Sequence, residues 1–550
     1  MHALHAQDVR WTQSISYSLI ISKVKIMKDK KPNIPIVIGI VGHRNVSSCD
    51  CTKLHVAVKE YIENLKIKYP CTDFVMLNSL AIGADTICAE VAGELGMEII
   101  CPLPFSEEEY EKDFVGDDLI KFKELISKCK KKFVVDSTVQ DKDRGYSSAG
   151  TYIADNCNIL IAIWDGVYTG LISGTSHTVK ERKDRNESLK RLKSIRKVPI
   201  YHIHVEKSES NKESTFNANY LDEKPDFEPD FEYINQINAD KHKPGEGYPA
   251  IENLNRDSGL YDIDRYYRMI DQCALVYRDY YYIVCFMISF LSTCVVMSFL
   301  LYDEADILLM LIVYPLALII YYVMIKISEK FRIYRKYYYY RTIAEMLRVQ
   351  IYLFASGISE NVTKYISWVR SREISWMEDI IVSIKAISRE CKQLSDDEIM
   401  KHWIESQFEY HTRSIRKKER QINFNNSIVR SMMILTFLLY VVILVAEFKF
   451  GVWFGKLFLG ISFRAWAKVL WGTFAAISLF WSNYFEKFSL ERQKDDNRKM
   501  KEMYEIANES FKELNDDNKK ALLKNLAHEE IGENIEWLSY MSGNTISFEI

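Results

Sequence analysis

Ile36-Val37-Ile38-Gly39-Ile40-Val41-Gly42-His43-Arg44 decides the fold of the first half of the chain. An apolar strand breaks into a glycine turn, and a basic, hydrogen-bonding pair follows at once. Small residues at Gly39 and Gly42 let a phosphate or ribose approach the backbone, and Arg44 supplies a guanidinium suited to a bidentate phosphate contact. The same chain later carries four apolar segments of membrane-spanning length, so a phosphate-type pocket is joined to a membrane device.

Outward from this strand, β-like runs alternate with helical patterns as far as residue 205. The runs are 36–41, 74–77, 98–101, 132–135, 158–164 and 199–204; between them 54–68, 84–95, 116–129, 147–157 and 178–186 have helical spacing. Such alternation predicts βαβ units and a parallel sheet covered by helices on both faces, a Rossmann-like α/β domain over 34–206. Ligands of these sheets bind outside the carboxyl ends of the strands.

Three glycine-marked loops fall at those ends. The first is Gly42-His43-Arg44. The second, Ser79-Leu80-Ala81-Ile82-Gly83-Ala84-Asp85-Thr86, opens a helix, whose free amides and positive dipole end face the same crevice. The third runs Trp164-Asp165-Gly166 and then Ser173-Gly174-Thr175-Ser176-His177-Thr178, again into a helix. One such loop is commonplace in α/β folds, whereas three at strand ends point to a ligand. The ligand-binding residues expected from them are Gly42, His43, Arg44, Gly83, Ala84, Asp85, Asp165, Gly166, Gly174, Thr175 and His177. His177 serves equally as a base, as a ring against a ligand or as a cap of the helix start.

Composition bounds the rest. The chain has 550 residues, 48% hydrophobic and 27% charged, with a formal net charge of −3. That balance gives no global attraction to nucleic acid, so anion binding must come from backbone amides and single arginines. Eleven cysteines, an odd number without paired CxxC spacing, signal neither a disulfide framework nor a zinc site, and no metal ligand set is expected. Residues 1–33 read as a disordered extension, with Met27 as an alternative start and no secretion signal. Residues 207–250, acidic, proline-broken and lysine-rich by turns, read as a linker.

The second half reads as all-α. The segments 281–302 and 307–327 are separated only by Asp303-Glu304-Ala305-Asp306 and form a first transmembrane hairpin within 251–330. Residues 432–446 with flanks and 465–484 supply a second hairpin within 429–486. Long helices with charged faces occupy 331–428 and 487–550. Basic residues flank the expected inner ends: Arg278, then Lys326 to Lys336, then Arg413 to Arg430, then Lys487 to Lys494. The positive-inside rule then places the pocket and both termini in the cytoplasm, although Lys449, Lys456, Arg464 and Lys468 oppose it on the second outer connector.

The ordered set Gly42-His43-Arg44, Gly83-Ala84-Asp85, Tyr146 to Gly150, Asn158 to Gly166 and Gly174-Thr175 resembles the SLOG superfamily. That group includes the LOG phosphoribohydrolases and nucleotide-sensing domains of bacterial defence effectors and melastatin-type TRP channels. The resemblance implies a nucleotide-derived ligand, NAD-like or ADP-ribose-like, with no cofactor required. The LOG enzymes carry a catalytic glutamate in a PGGxGTxxE motif; here no such glycine pair precedes Gly174-Thr175, and Thr178 stands in the glutamate's place. A threonine cannot manage a proton or stabilise an oxocarbenium-like centre as a carboxylate does, so binding is favoured over cleavage. Shorter strings, Tyr340 to Gln350 and Glu533 to Trp537, resemble the transmembrane effectors associated with SLOG domains. They imply a homo-oligomeric effector of anti-phage defence in the inner membrane. A membrane-anchored nucleotide or NAD glycosidase using Asp85, Glu181 or His177 and a nucleotide-regulated channel are the alternatives.

Overall fold

The structure is a computed structural model that describes residues 32–46, 48–138, 141–192, 197–206, 216–221, 227–240, 249–252, 254, 258–366, 371–388, 393–450, 457–458, 461–486 and 488–543. The expected extension and the connector at 448–464 lie largely outside these residues. The chain divides into two compact units. Among the described residues, one takes in those up to Met269 and Glu345–Leu394, the other Ile270–Ala344 and those from Ser395 onward.

The first unit is built on a seven-stranded sheet of order β4-β3-β2-β1-β5-β6-β7. Its strands are β1 (Ile36–Gly42), β2 (Phe74–Leu77), β3 (Glu98–Leu103), β4 (Lys131–Val134), β5 (Ile159–Trp164), β6 (Ile200–His204) and β7 (Asn217–Tyr220). Neighbours among the first six pair in parallel, and β7 runs antiparallel to β6. All six residues of β5 and the first six of β1 are buried. That burial explains why these strands read as unbroken apolar runs, since a central parallel strand is covered on both faces.

Helices α1 (Ser48–Lys68), α2 (Ala84–Glu94), α3 (Glu107–Glu111), α4 (Asp117–Lys128), α5 (Lys142–Asp155) and α6 (Thr175–Leu192) connect the parallel strands. The expected α/β pattern is therefore present, with α5 starting five residues before its apolar spacing suggests. Asp141 fixes that start by accepting a hydrogen bond from the Arg144 amide, an N-cap that periodicity does not register.

Two further pieces complete this unit. The stretch expected as a linker contains β7 and helix α7 (Glu228–Ala239), whose Phe231, Ile234 and Ile237 are buried. Asn238 clamps Ile34 just before β1: its Oδ1 accepts from the Ile34 amide at 2.9 Å, and its Nδ2 donates to the Ile34 carbonyl at 2.9 Å. The second piece is helix α11 (Ser371–Ile387), drawn from the region expected to be wholly part of the helical half. Buried Asn158 joins it to the sheet, accepting from the Val37 amide and from Ser383 Oγ, both at 2.7 Å, and donating to Asp379 Oδ1 at 3.0 Å. Trp376 stacks on Tyr233 of α7 with centroids 4.5 Å apart.

The second unit is helical. It takes in most of α8 (Gly259–Ala305), α9 (Met310–Lys330), the first half of α10 (Ile333–Ala355), α12 (Ser406–Phe450), α13 (Phe463–Glu486), α14 (Leu490–Ser510) and α15 (Asp516–Gly543). Three stretches among the described residues are long and apolar enough to cross a membrane: Gly259–Ala305, Met310–Ala355 and Asp396–Lys449. The expected fourth, in α13, falls short because Trp466, Trp471, Trp481, Lys468 and Asn483 dilute its hydropathy.

Helix α13 nonetheless lies against α8 along its length. A Cβ on Gly472 would stand 2.6 Å from Leu300, Phe286 meets Phe480 edge-on at 5.7 Å, and Lys468 Nζ pairs with Glu304 at 2.7 Å. By contrast the apolar windows of Met310–Ala355 and Asp396–Lys449 are almost uncovered, 6% and 0% buried within the chain. Apolar surface on that scale requires lipid or protein against it. Tyr337 and Tyr338 meet Trp537 at 5.8 and 5.7 Å, and Asn534 donates to the Thr342 carbonyl at 3.2 Å. The segments Tyr340 to Gln350 and Glu533 to Trp537 thus touch each other.

Candidate functional site at the strand switch point

From β1 the chain winds through β2 and β3 to β4 on one side, then returns to place β5 on the other side of β1. The connections after β1 and β5 therefore leave in opposite directions and open a crevice above their carboxyl ends. Gly42 pairs in register with Ile163, so both strands end at the same level. The loops holding Gly42-His43-Arg44 and Asp165-Gly166 flank this point.

Backbone contacts knit the loops together. The His43 amide donates to the Ile163 carbonyl at 2.9 Å, the Ala84 amide to the His43 carbonyl at 3.1 Å, and Thr175 Oγ1 to the Gly42 carbonyl at 2.8 Å. Glycine is required at two of the contacts. A Cβ on Gly42 would overlap that of Ala84, and one on Gly83, whose φ is +89°, would strike the Arg44 carbonyl. Across the switch point, His43 Nε2 lies 3.1 Å from Asp165 Oδ1 and 3.2 Å from the Asp165 amide. Asp165 Oδ1 also accepts from the Val167 amide at 3.1 Å, which turns the loop through Gly166.

The second loop is shaped by a residue that glycine spacing does not reveal. Buried Asn78 accepts from the Leu80 amide at 2.7 Å and donates to the Asp85 carbonyl at 2.7 Å. Leu80 is held at φ +58° as a result. Helix α2 then starts at Gly83 without a side-chain cap, which leaves its dipole end unneutralised by a cap. Asp85 sits in the first turn, buried, with Oδ1 lacking a hydrogen-bond partner among the described residues. Burial pushes its carboxyl up to about 7, against the opposing pull of the Ala81 amide and the Arg44 charge.

Arg44 is exposed and forms no ion pair among the described residues; its guanidinium lies 4.6 Å from the centroid of the Tyr146 ring. Asp165, Gly166, Gly174, Thr175 and His177 come to the same end of the sheet through β5 and α6. The Gly174 carbonyl accepts from the His177 and Thr178 amides at 3.0 and 3.3 Å, so His177 lies in the first turn of α6. Thr178 is buried with its hydroxyl against Gly150. Glu181 is engaged elsewhere: it accepts from Thr151 Oγ1 at 3.0 Å and pairs with Arg185 Nη2 at 2.7 Å. Burial opposes its charge, yet Thr151 and Arg185 hold its carboxyl below the usual range.

This arrangement offers one accessible guanidinium, one uncapped helix start and one buried carboxyl. Its charge and donors suit an anion; Glu181 is held by Thr151 and Arg185, and Thr178 has no carboxylate, so Asp85 has no second carboxylate from these two positions beside it. Comparison of the chain with protein-family models finds none that matches, and no curated protein is significantly similar to it.

Proposed function

We propose that this protein senses a phosphate-bearing, nucleotide-derived messenger through the switch-point crevice and answers with a change in its membrane helices. The observation that carries this reading is the meeting of three loops at Gly42 and His43, next to Arg44, which has no ion-pair partner among the described residues and lies beside an uncapped helix start. Thr178, packed against Gly150, and Glu181, paired to Arg185, favour binding over cleavage.

On the membrane side we read α13 as a fourth crossing, since it lies along α8 and its Lys468 neutralises Glu304. Four crossings and the basic flanks then put both termini in the cytoplasm. The uncovered apolar faces of the other spans suit assembly with further copies, and a ligand that prefers one assembly state shifts the population toward it. Disruption of the bilayer in defence against phage is the output this reading assigns.

The test is titration of the full-length protein in lipid nanodiscs with ADP-ribose and NAD, alongside dye release from liposomes carrying the protein. Arg44→Ala should abolish binding and ligand-stimulated release together. Unchanged binding by Arg44→Ala sinks the pocket assignment.

A second reading, a nucleotide or NAD glycosidase, is favoured by one feature: burial of Asp85 pushes its carboxyl up to about 7, where general acid–base groups work best. Release of free base from NAD or nucleoside monophosphates by the wild type, absent in Asp85→Asn, would establish it.

A further inference from the structure

The Arg44 side chain is supported by an aromatic ring instead of a carboxylate, and that choice has a chemical consequence. A guanidinium paired with a carboxylate spends its N–H donors on that partner. One laid over a ring is held through its π face and keeps its donor edge for a ligand.

The ring is itself immobilised on three sides. Tyr146 Oη donates to Asp113 Oδ2, and the other oxygen of that carboxylate pairs with Lys142 Nζ at 2.8 Å. The ring meets Phe105 edge-on at 5.3 Å and Tyr110 at 6.2 Å. The neighbouring Gly145 brings the α5 backbone so close to Phe105 that a Cβ there would collide with it. Tyr146 therefore has fewer ways to move than an exposed tyrosine, and so has the cation above it.

We propose that Tyr146 is the positioning residue of the crevice: a fixed platform that holds Arg44 with its donor edge outward to receive a phosphate or pyrophosphate group, with Asp113 and Lys142 as the brace. This rests on the reading that Arg44 takes an anion, and it adds how that affinity is set. A preorganised guanidinium loses little freedom on binding, whereas an unsupported one must be ordered by the ligand itself.

Inorganic pyrophosphate is the probe, titrated calorimetrically into the full-length protein in nanodiscs. Wild type, Arg44→Ala, Tyr146→Phe, Tyr146→Leu and Asp113→Asn are compared. Tyr146→Leu should bind about 3- to 30-fold more weakly, the range expected for losing a cation–π support. Tyr146→Phe keeps the ring but loses its hydroxyl bond to Asp113, so it should bind more weakly than wild type yet more tightly than Tyr146→Leu, a partial rescue that a general packing role would not single out. Asp113→Asn keeps the ring and loosens the same brace, so it should fall between wild type and Tyr146→Leu as Tyr146→Phe does, which preserves the test if Tyr146→Leu does not fold. Loss of binding in Arg44→Ala with wild-type affinity in Tyr146→Leu or, where that variant is unfolded, in Asp113→Asn overturns the platform and leaves the anion site standing. Absence of pyrophosphate binding in the wild type, or equal binding by Arg44→Ala, overturns both.

Discussion

His43 Nε2 stands 3.1 Å from Asp165 Oδ1, bridging the two loops that part at the switch point between β1 and β5. Both side chains are nearly buried, 13% and 12% exposed. The pair closes the floor of the crevice, so the two loops behave as one surface. Asp165→Ala should cost about 1–2 kcal/mol, because it removes the carboxylate beside His43 and the acceptor of the Val167 amide together, leaving His43 the Asp165 backbone amide. Thermal unfolding of the purified variant measures this, and a melting temperature equal to wild type contradicts the closure.

Asp85 makes stability depend on pH. Its folded value of about 7 lies above the ordinary 3.8, so the folded state holds a proton that the unfolded chain releases. The contribution of this group to stability is then greatest below about pH 4, declines by about 1.4 kcal/mol per pH unit above it, and levels off past pH 7. The full loss is at most about 4 kcal/mol. Asp85→Asn should flatten this slope in melting curves taken between pH 5.5 and 8.5. Parallel slopes for the two proteins would contradict a buried carboxyl that folding keeps protonated.

Gly42 and Gly83 hold the first two loops in contact. Gly83→Ala adds a Cβ at φ +89° that meets the Arg44 carbonyl, a conformational cost of about 1–3 kcal/mol before any clash is relieved. Gly42→Val should push α2 away from β1 and abolish ADP-ribose binding by calorimetry. Binding retained by a folded Gly42→Val variant would separate the loop contact from ligand recognition.

Asn158 tests the membership of α11 in the sheet unit. Asn158→Ala leaves the Val37 amide and Ser383 hydroxyl without their shared acceptor, a loss of about 2–4 kcal/mol for several buried hydrogen bonds. Hydrogen exchange should then speed up in Ser371–Ile387 as well as in β1. Acceleration in β1 alone would show that the helix is held by other contacts.

Much of this was legible in the chain. The apolar runs of β1, β2 and β5 and the glycine turns after them depend on neighbours a few residues away, so alternation and turn chemistry find them. The first hairpin and the apolar part of α12 were legible for the same reason. Illegible were Asn78, Tyr146 as the support of Arg44, and α7. Asn78 acts through two backbone groups of a loop, with no spacing to mark it. The acidic, proline-broken lead into α7 hides the burial of Phe231 and Ile234 behind a linker's composition. The apolar length of α13 was visible, but its tryptophans gave it an ambiguous hydropathy; in the fold Trp471 and Trp481 meet Tyr440 and Phe424 of α12, and Phe480 meets Phe286 of α8.

Local chemistry was enough to specify the parallel α/β class, three glycine loops at strand ends and the apolar spans, because each follows from residues adjacent in the chain. Tertiary closure alone brought Asp165 to His43, 122 residues away, set Asn158 against Asp379, 221 residues on, and left Asp85 Oδ1 buried without a hydrogen-bond partner among the described residues. Those relationships depend on which distant segments share an interior. Pairing at such separations is set by the packing of whole elements, and no periodicity within one element encodes it.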